Sequence, residues 1–117
     1  MSCYFKDGDF ARCNPPCKLS DMSEDLLDIL DYARSLYGRP MILTSAYRSK
    51  DYEHMKGRSG TSSHCKGVAV DIACHDSTTR LQMLLALTRA GFRRIGIGPN
   101  FIHVDVDESK AKTCWLY

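Results

Sequence analysis

The sequence predicts an α+β domain, a small and largely antiparallel sheet with helices packed on one side. Three observations carry this. Two segments have the caps and apolar spacing of helices, and several shorter ones alternate or run apolar like strands. The chain has 117 residues, enough for one real core and too few for two.

Residues 1–20 read as an irregular segment that contains Cys3, Cys13 and Cys17, because Pro15–Pro16 bars helix and little of it is core-forming. "SEDLLDILDYARSLYG" reads as a helix. Ser23 caps its start, Glu24 and Asp25 suit the positive N-terminal end, and Gly38 stops it. Its expected apolar stripe is Leu26, Ile29, Leu30, Ala33 and Leu36. After Pro40, "MILTS" reads as a short buried strand. Residues 49–63 are polar and rich in Gly and Ser, a loop with one helical turn around Tyr52–Lys56. "GVAVDIA" alternates, so that Val68, Val70 and Ile72 face one way and Ala69, Asp71 and Ala73 the other. "STTRLQMLLALTRAG" is a second helix, capped by Ser77 and ended by Gly91. "FRRIGIGPNFIHVDVD" reads as two strands around a turn at Gly98–Pro99–Asn100, and the tail residue Trp115 is expected to pack back on the body. With no repeat, linker or low-complexity tract, residues 1–117 are expected to form a single domain.

A formal charge of +2 is mild, and the Lys and Arg residues are scattered, so the sequence indicates no nucleic-acid surface. No apolar run approaches the ~18 residues of a membrane helix. Met1 leads into the polar "SCYFKDGDF" rather than a secretory leader, so synthesis in the cytoplasm is the expectation. Six cysteines are many for this length. "CNPPC" and Cys3 suit a staple or part of a structural zinc site, whereas Cys65 and Cys74 read equally well as small unpaired hydrophobes.

The chemistry gathers in two strands and one loop. Asp71 is a carboxylate on the small-residue face of its strand and needs a partner, because an unpaired buried charge is costly. In the last strand His103, Asp105 and Asp107 share one face, with Ile102, Val104 and Val106 on the other. One histidine on a strand is more often structural than a ligand. Two histidines and an aspartate beside small or polar neighbours are a different matter. Catalytic zinc takes three protein N/O ligands and keeps a fourth position for water, and His64, Asp71 and His103 supply that set. Cys65, next to His64, is expected to point away from it.

"TSAYRS", "SSHCKGVAVDI", "GFRRIGIGPNFIHVDV" and a late Trp resemble the zinc D-Ala-D-Ala carboxypeptidase and L-alanyl-D-glutamate endopeptidase family, the M15-type peptidoglycan peptidases. The short, phage-associated branch is the nearest, and the likeness runs over residues 20–117. The resemblance implies a Hedgehog/DD-peptidase-like fold and zinc held by His64, Asp71 and His103. It also implies that Arg48 grips a substrate carboxylate or steadies a developing oxyanion, and that Ser62 lines the substrate pocket. Many members carry Glu or Asp three residues before the last histidine ligand as the base; this chain has Asn100 there. Asp105, the nearest acid by strand geometry, is the expected catalytic base, with the alternative that it orients a ligand imidazole. His54 is expected to be a loop or helix-capping residue.

The function so implied is a monomeric zinc metallopeptidase that hydrolyses peptide bonds in peptidoglycan stem peptides, as carboxypeptidase or endopeptidase. It would reach the cell wall as an endolysin does, after host lysis or by virion delivery. The alternative is a non-catalytic zinc-bearing binding module of the same fold.

Overall fold

A computed structural model describes residues 2–117. The elements are α1 (Asp7–Ala11), α2 (Glu24–Tyr37), β1 (Leu43–Ser45), α3 (Lys50–Met55), β2 (Ala69–Ala73), α4 (Ser77–Ala90), β3 (Arg94–Ile97), β4 (Phe101–Asp105) and β5 (Thr113–Leu116), with 3-10 turns at Leu19–Asp21 and Ser63–Lys66. The strands form one sheet in the order β1-β2-β4-β3-β5. All pairs are antiparallel except β3 with β5. The fold is α+β, as the sequence predicts, and the tail that carries Trp115 adds a parallel edge strand to the expected sheet.

Strand alternation puts Val70 and Ile72 of β2 and Ile102 and Val104 of β4 on one face, all fully buried. They share a core with Leu26, Leu27 and Leu30 of α2 and Met83 and Leu87 of α4. Helix α2 begins where Ser23 Oγ accepts the Leu26 N–H and ends at Gly38 in the left-handed region. Its buried residues are Leu26, Leu27, Leu30 and Ala33, whereas Ile29 is half-buried and Leu36 exposed. The stripe is rotated because α2 packs against α4 as well as the sheet, which draws Leu27 inward. The cap of α4 is Asp76 rather than the expected Ser77. Asp76 accepts both the Thr79 N–H at 2.8 Å and the Thr79 hydroxyl at 2.9 Å, two bonds that need both carboxylate oxygens.

The N-terminal segment is more ordered than its composition suggests. Phe5, Phe10 and Cys13 are buried in the main core, and α1 packs on β1. Asp31 of α2 anchors the start by accepting from Ser2 Oγ at 2.7 Å and from the Cys3 N–H at 2.9 Å. The six cysteines are all free thiols. Burial pushes the Cys13 thiol up to about 12.

The opposite face of the sheet carries the polar residues. Register places Ser45, Asp71, His103, Gly96 and Trp115 in one lateral row across all five strands. The neighbouring row runs Ala69, Asp105, Arg94, Thr113. These two rows form the floor of the site.

Candidate metal centre

Asp71 and His103 are directly cross-strand partners on β2 and β4, so the sheet itself brings them together. His64 arrives from outside the sheet. It sits in the 3-10 turn Ser63–Lys66, whose start is capped by Ser62 Oγ accepting the His64 N–H. The turn ends at Gly67, with φ +70°, and its carbonyl accepts the Ser23 N–H at 2.8 Å. A Cβ at Gly67 would lie 2.3 Å from the Asp21 carbonyl oxygen, so only glycine lets the loop approach the start of α2 this closely. A second tie holds the same turn from the other side. Buried Asp107 accepts from Ser63 Oγ at 2.7 Å, Lys66 Nζ at 3.1 Å and Ser109 Oγ at 2.6 Å. Burial alone would raise the Asp107 pKa, but these donors hold its carboxyl well below the usual range.

One ligand atom each from His64, Asp71 and His103 lies within 4.8 Å of the others, among the described residues the one such group of His, Cys, Asp or Glu. His64 Nε2 is 3.3 Å and His103 Nδ1 2.9 Å from Asp71 Oδ1. The donor chemistry fits a cation. His64 Nδ1 lies 2.6 Å from the Ala46 carbonyl oxygen, which only accepts. That nitrogen is therefore the donor, and in the neutral form of the ring Nε2 would present its lone pair toward the Asp71 carboxylate. His103 Nε2 donates to Asp105 Oδ2 at 2.7 Å, so in the neutral ring Nδ1 faces Asp71 as a second lone pair. Three acceptors aimed at one point repel one another unless a cation or a proton lies among them. Protonation of His103 is the competing solution. Burial disfavours it, but Asp105 and Asp71 outweigh that cost and raise the His103 pKa on balance. Burial likewise opposes ionisation of Asp71, and the two histidines reverse this, taking its carboxyl well below the usual range.

The expected ligands thus converge, and the other expected residues take distinct places. Arg48 and Ser62 line the same cleft of about 410 Å³ as the three ligand atoms. Cys65 contributes nothing to the ligand group. His54 lies in the last turn of α3 with Nε2 3.3 Å from the Ser59 carbonyl, a loop contact. Asn100 is exposed in the β3–β4 turn and does not line the cleft.

Asp105, the expected base, lines the same cleft and lies beside His103. It meets His103 at Nε2, across the ring from the nitrogen that faces Asp71. Its other oxygen accepts from Arg94 Nε at 2.7 Å and from the Asp107 N–H at 3.0 Å. Its side chain is 0% exposed at the margin of the cleft. Burial pushes its pKa up, yet the His103, Asp107 and Arg94 bonds win and hold it ionised.

Several cleft residues escaped the sequence reading: Glu53, Arg58, Arg94, Trp115 and Tyr117 all line it. Trp115 lies 5.5 Å from the His103 ring, and its indole fills the space over Gly96, where a Cβ would come within 2.6 Å. The Arg94 guanidinium lies over the Trp115 ring, 4.8 Å from its centroid. A late Trp was visible in the sequence; that it walls the metal centre depends on the β3–β5 register.

The Peptidase M15 family model matches residues 5–105, and the chain belongs to that family. No curated protein matches the chain. The matched stretch contains all three residues of the candidate metal group, while Trp115 and Tyr117 lie beyond it.

Proposed function

We propose that this M15 peptidase is a zinc-dependent enzyme that hydrolyses peptide bonds in peptidoglycan stem peptides, as a carboxypeptidase or endopeptidase. The observation that carries the reading is the convergence of His64 Nε2, Asp71 Oδ1 and His103 Nδ1 at the floor of an open cleft. Two imidazoles and one carboxylate match catalytic zinc, and each imidazole has its second nitrogen tied, His64 to Ala46 and His103 to Asp105. Zinc bound there supplies a water of lowered pKa and a Lewis acid for the attacked carbonyl.

The protein's own groups have separable tasks. Asp71 and His103 orient the centre from the sheet, and Asp105 fixes the His103 ring and its tautomer. Arg48, its Nε buried and without a hydrogen-bond partner, offers a guanidinium to substrate. Ser62 lines the entrance through the turn that carries His64. Trp115 closes one side and keeps bulk water from His103. Arg48, Arg58, Arg94 and Lys110 around the cleft suit a carboxylate-bearing peptide.

A second reading has one observation in its favour. Asp105 borders the cleft with both oxygens already bonded to His103, Arg94 and the Asp107 N–H, and Asn100 is an exposed amide, so neither offers an unbonded carboxylate. A zinc-bearing module that binds peptide without cleaving it would need none. Incubation of purified protein with peptidoglycan, followed by mass spectrometry of the fragments, decides between them. New peptide termini that vanish with a chelator and return with zinc support the enzyme. Intact peptidoglycan at full zinc occupancy refutes it.

A further inference from the structure

Two neighbouring thiols belong to no part of the metal centre. Cys13 is 3% exposed within the main core, and Cys17 packs against that core, half-buried. The chain between them turns back on itself, so that the Cys13 and Cys17 N–H groups both donate to the Phe10 carbonyl, at 3.2 and 3.1 Å. One oxygen thus fixes both ends of the segment. A disulfide spans Cα atoms about 4.4–6.8 Å apart, the scale on which two residues share one acceptor. The turn is itself held in place. Phe10 is fully buried, and the Asn14 N–H donates to the Thr44 carbonyl of β1 at 3.1 Å.

The two sulfurs differ in their surroundings. Cys13 Sγ lies 3.5 Å from the Asp9 carbonyl oxygen and 3.7 Å from that of Leu43, acceptors that favour the thiol over the thiolate. Burial raises its pKa most, and a charge on Cys17 raises it further, so the sulfurs are near enough to feel one another. Burial also raises the Cys17 pKa, but the Tyr47 N–H acts on that sulfur in the opposite sense. Cys17 is therefore the better nucleophile, and its half-buried position lets a small solute reach it first.

We propose that Cys13 and Cys17 form a thiol–disulfide exchange site that takes a small-molecule disulfide, such as oxidised glutathione, and ends as a Cys13–Cys17 bond. The Cys17 thiolate, its proton lost to solvent, attacks one sulfur of that disulfide; a mixed disulfide forms on Cys17 and one small thiolate leaves. Cys13 then gives up its proton and attacks the Cys17 sulfur, and the second small thiolate leaves. The two cysteines lose two electrons and two protons, and the two departing thiolates take up both protons as thiols. The product closes the loop that lies on β1, the strand leading to Ala46, whose carbonyl holds His64. The site stands apart from the peptidase reading and survives its failure.

The test is made on the full chain, equilibrated with oxidised and reduced glutathione at rising ratio, quenched with acid, alkylated and cut with trypsin. Cleavage after Arg12 and Lys18 leaves Cys13 and Cys17 in one peptide, residues 13–18, read by mass spectrometry. In the oxidised wild type that peptide should be unalkylated and lighter by two hydrogens than the dithiol, and should regain both thiols on reduction. Cys13→Ala, which removes the second thiol without placing a hydroxyl in the core, should instead stop at the Cys17–glutathione adduct. Cys17→Ser should leave Cys13 a free thiol in the folded protein, with the fold checked by circular dichroism. A wild-type peptide that stays a dithiol under full oxidation, carries glutathione on both sulfurs, or is joined to another cysteine overturns the site. Ready glutathione uptake by Cys13 in folded Cys17→Ser overturns the assigned order of attack. The wild-type result decides the matter even where a variant fails to fold.

Discussion

The centre has a strand-held half and a loop-held half, and the two are secured by different physics. Asp71 and His103 are placed by the β2–β4 ladder, in which backbone hydrogen bonds on either side fix their separation. Beneath them Val70, Ile72, Ile102 and Val104 are fully buried. His64 has no ladder. Its position depends on single ties: the Ala46 carbonyl at its ring, the Arg48 N–H on its own carbonyl at 3.2 Å, and Asp107 on the neighbouring Ser63. A ligand on a ladder moves only if the sheet moves, whereas a ligand on a turn moves when one tie is cut. The candidate centre therefore combines a ladder-held pair with a third member held by single ties, and variants can separate the two.

The largest effect is expected from the ligands themselves. His103→Ala and His64→Ala should each lose the bound zinc by elemental analysis and reduce peptide hydrolysis to background. The comparison predicts that His64→Ala leaves the far-UV circular dichroism unchanged. Full zinc retention in both variants would remove the site.

Asp105→Asn probes the support of the strand-held half. It should weaken zinc binding about 10–100-fold, with hydrolysis restored by excess zinc. If Asp105 were the base, the variant would instead keep its zinc and lose about 100-fold or more in kcat. Zinc titration with activity measured at saturation separates the two outcomes.

Asp107→Asn tests the loop-held half. Removing the charge that Ser63, Lys66 and Ser109 share should cost about 1–3 kcal/mol in a denaturant melt and loosen the turn around His64. The pH sign follows from its depressed pKa. Ionised Asp107 stabilises the folded state fully above the ordinary carboxylate value, and this contribution is lost as pH falls toward the lower folded value. The wild-type Tm should therefore fall more steeply than the variant's below about pH 4, near the unperturbed carboxylate value. Parallel Tm curves would show that Asp107 is not ionically engaged.

The smallest effect concerns two thiols. Burial raises the pKa of both Cys65, beside the loop ligand, and Cys74, just past β2. Cys65 is half-buried in the turn and Cys74 is 2% exposed. Iodoacetamide should label Cys65 before Cys74 in the native protein, as followed by peptide mass spectrometry. Equal rates would mean that the turn is as closed as the sheet.

The sequence by itself determined the parts that depend on near neighbours. Ser23 and Gly38 bound α2 because caps act within one turn of the chain. Alternation in "GVAVDIA" and "FIHVD" put Asp71 and His103 opposite the apolar residues, because strand side chains alternate at every residue. His64 lies in a loop that these rules do not reach; zinc's preference for N/O donors and the resemblance to the M15 peptidases joined it to Asp71 and His103. Only the tertiary structure decided what each group faces. Asp105 shares a strand face with His103, which made it the expected base; that its second oxygen accepts from Arg94 follows only from the pairing with β3. Phe5, Phe10 and Cys13 look like loop residues until the segment lies against β1. Glu53 reads as one more polar residue of a loop, and its burial between Arg48 and Arg58 appears only when α3 folds over the cleft. The reason is common to all three. Register and packing join residues far apart in the chain, and no local pattern of polarity records which of them will meet.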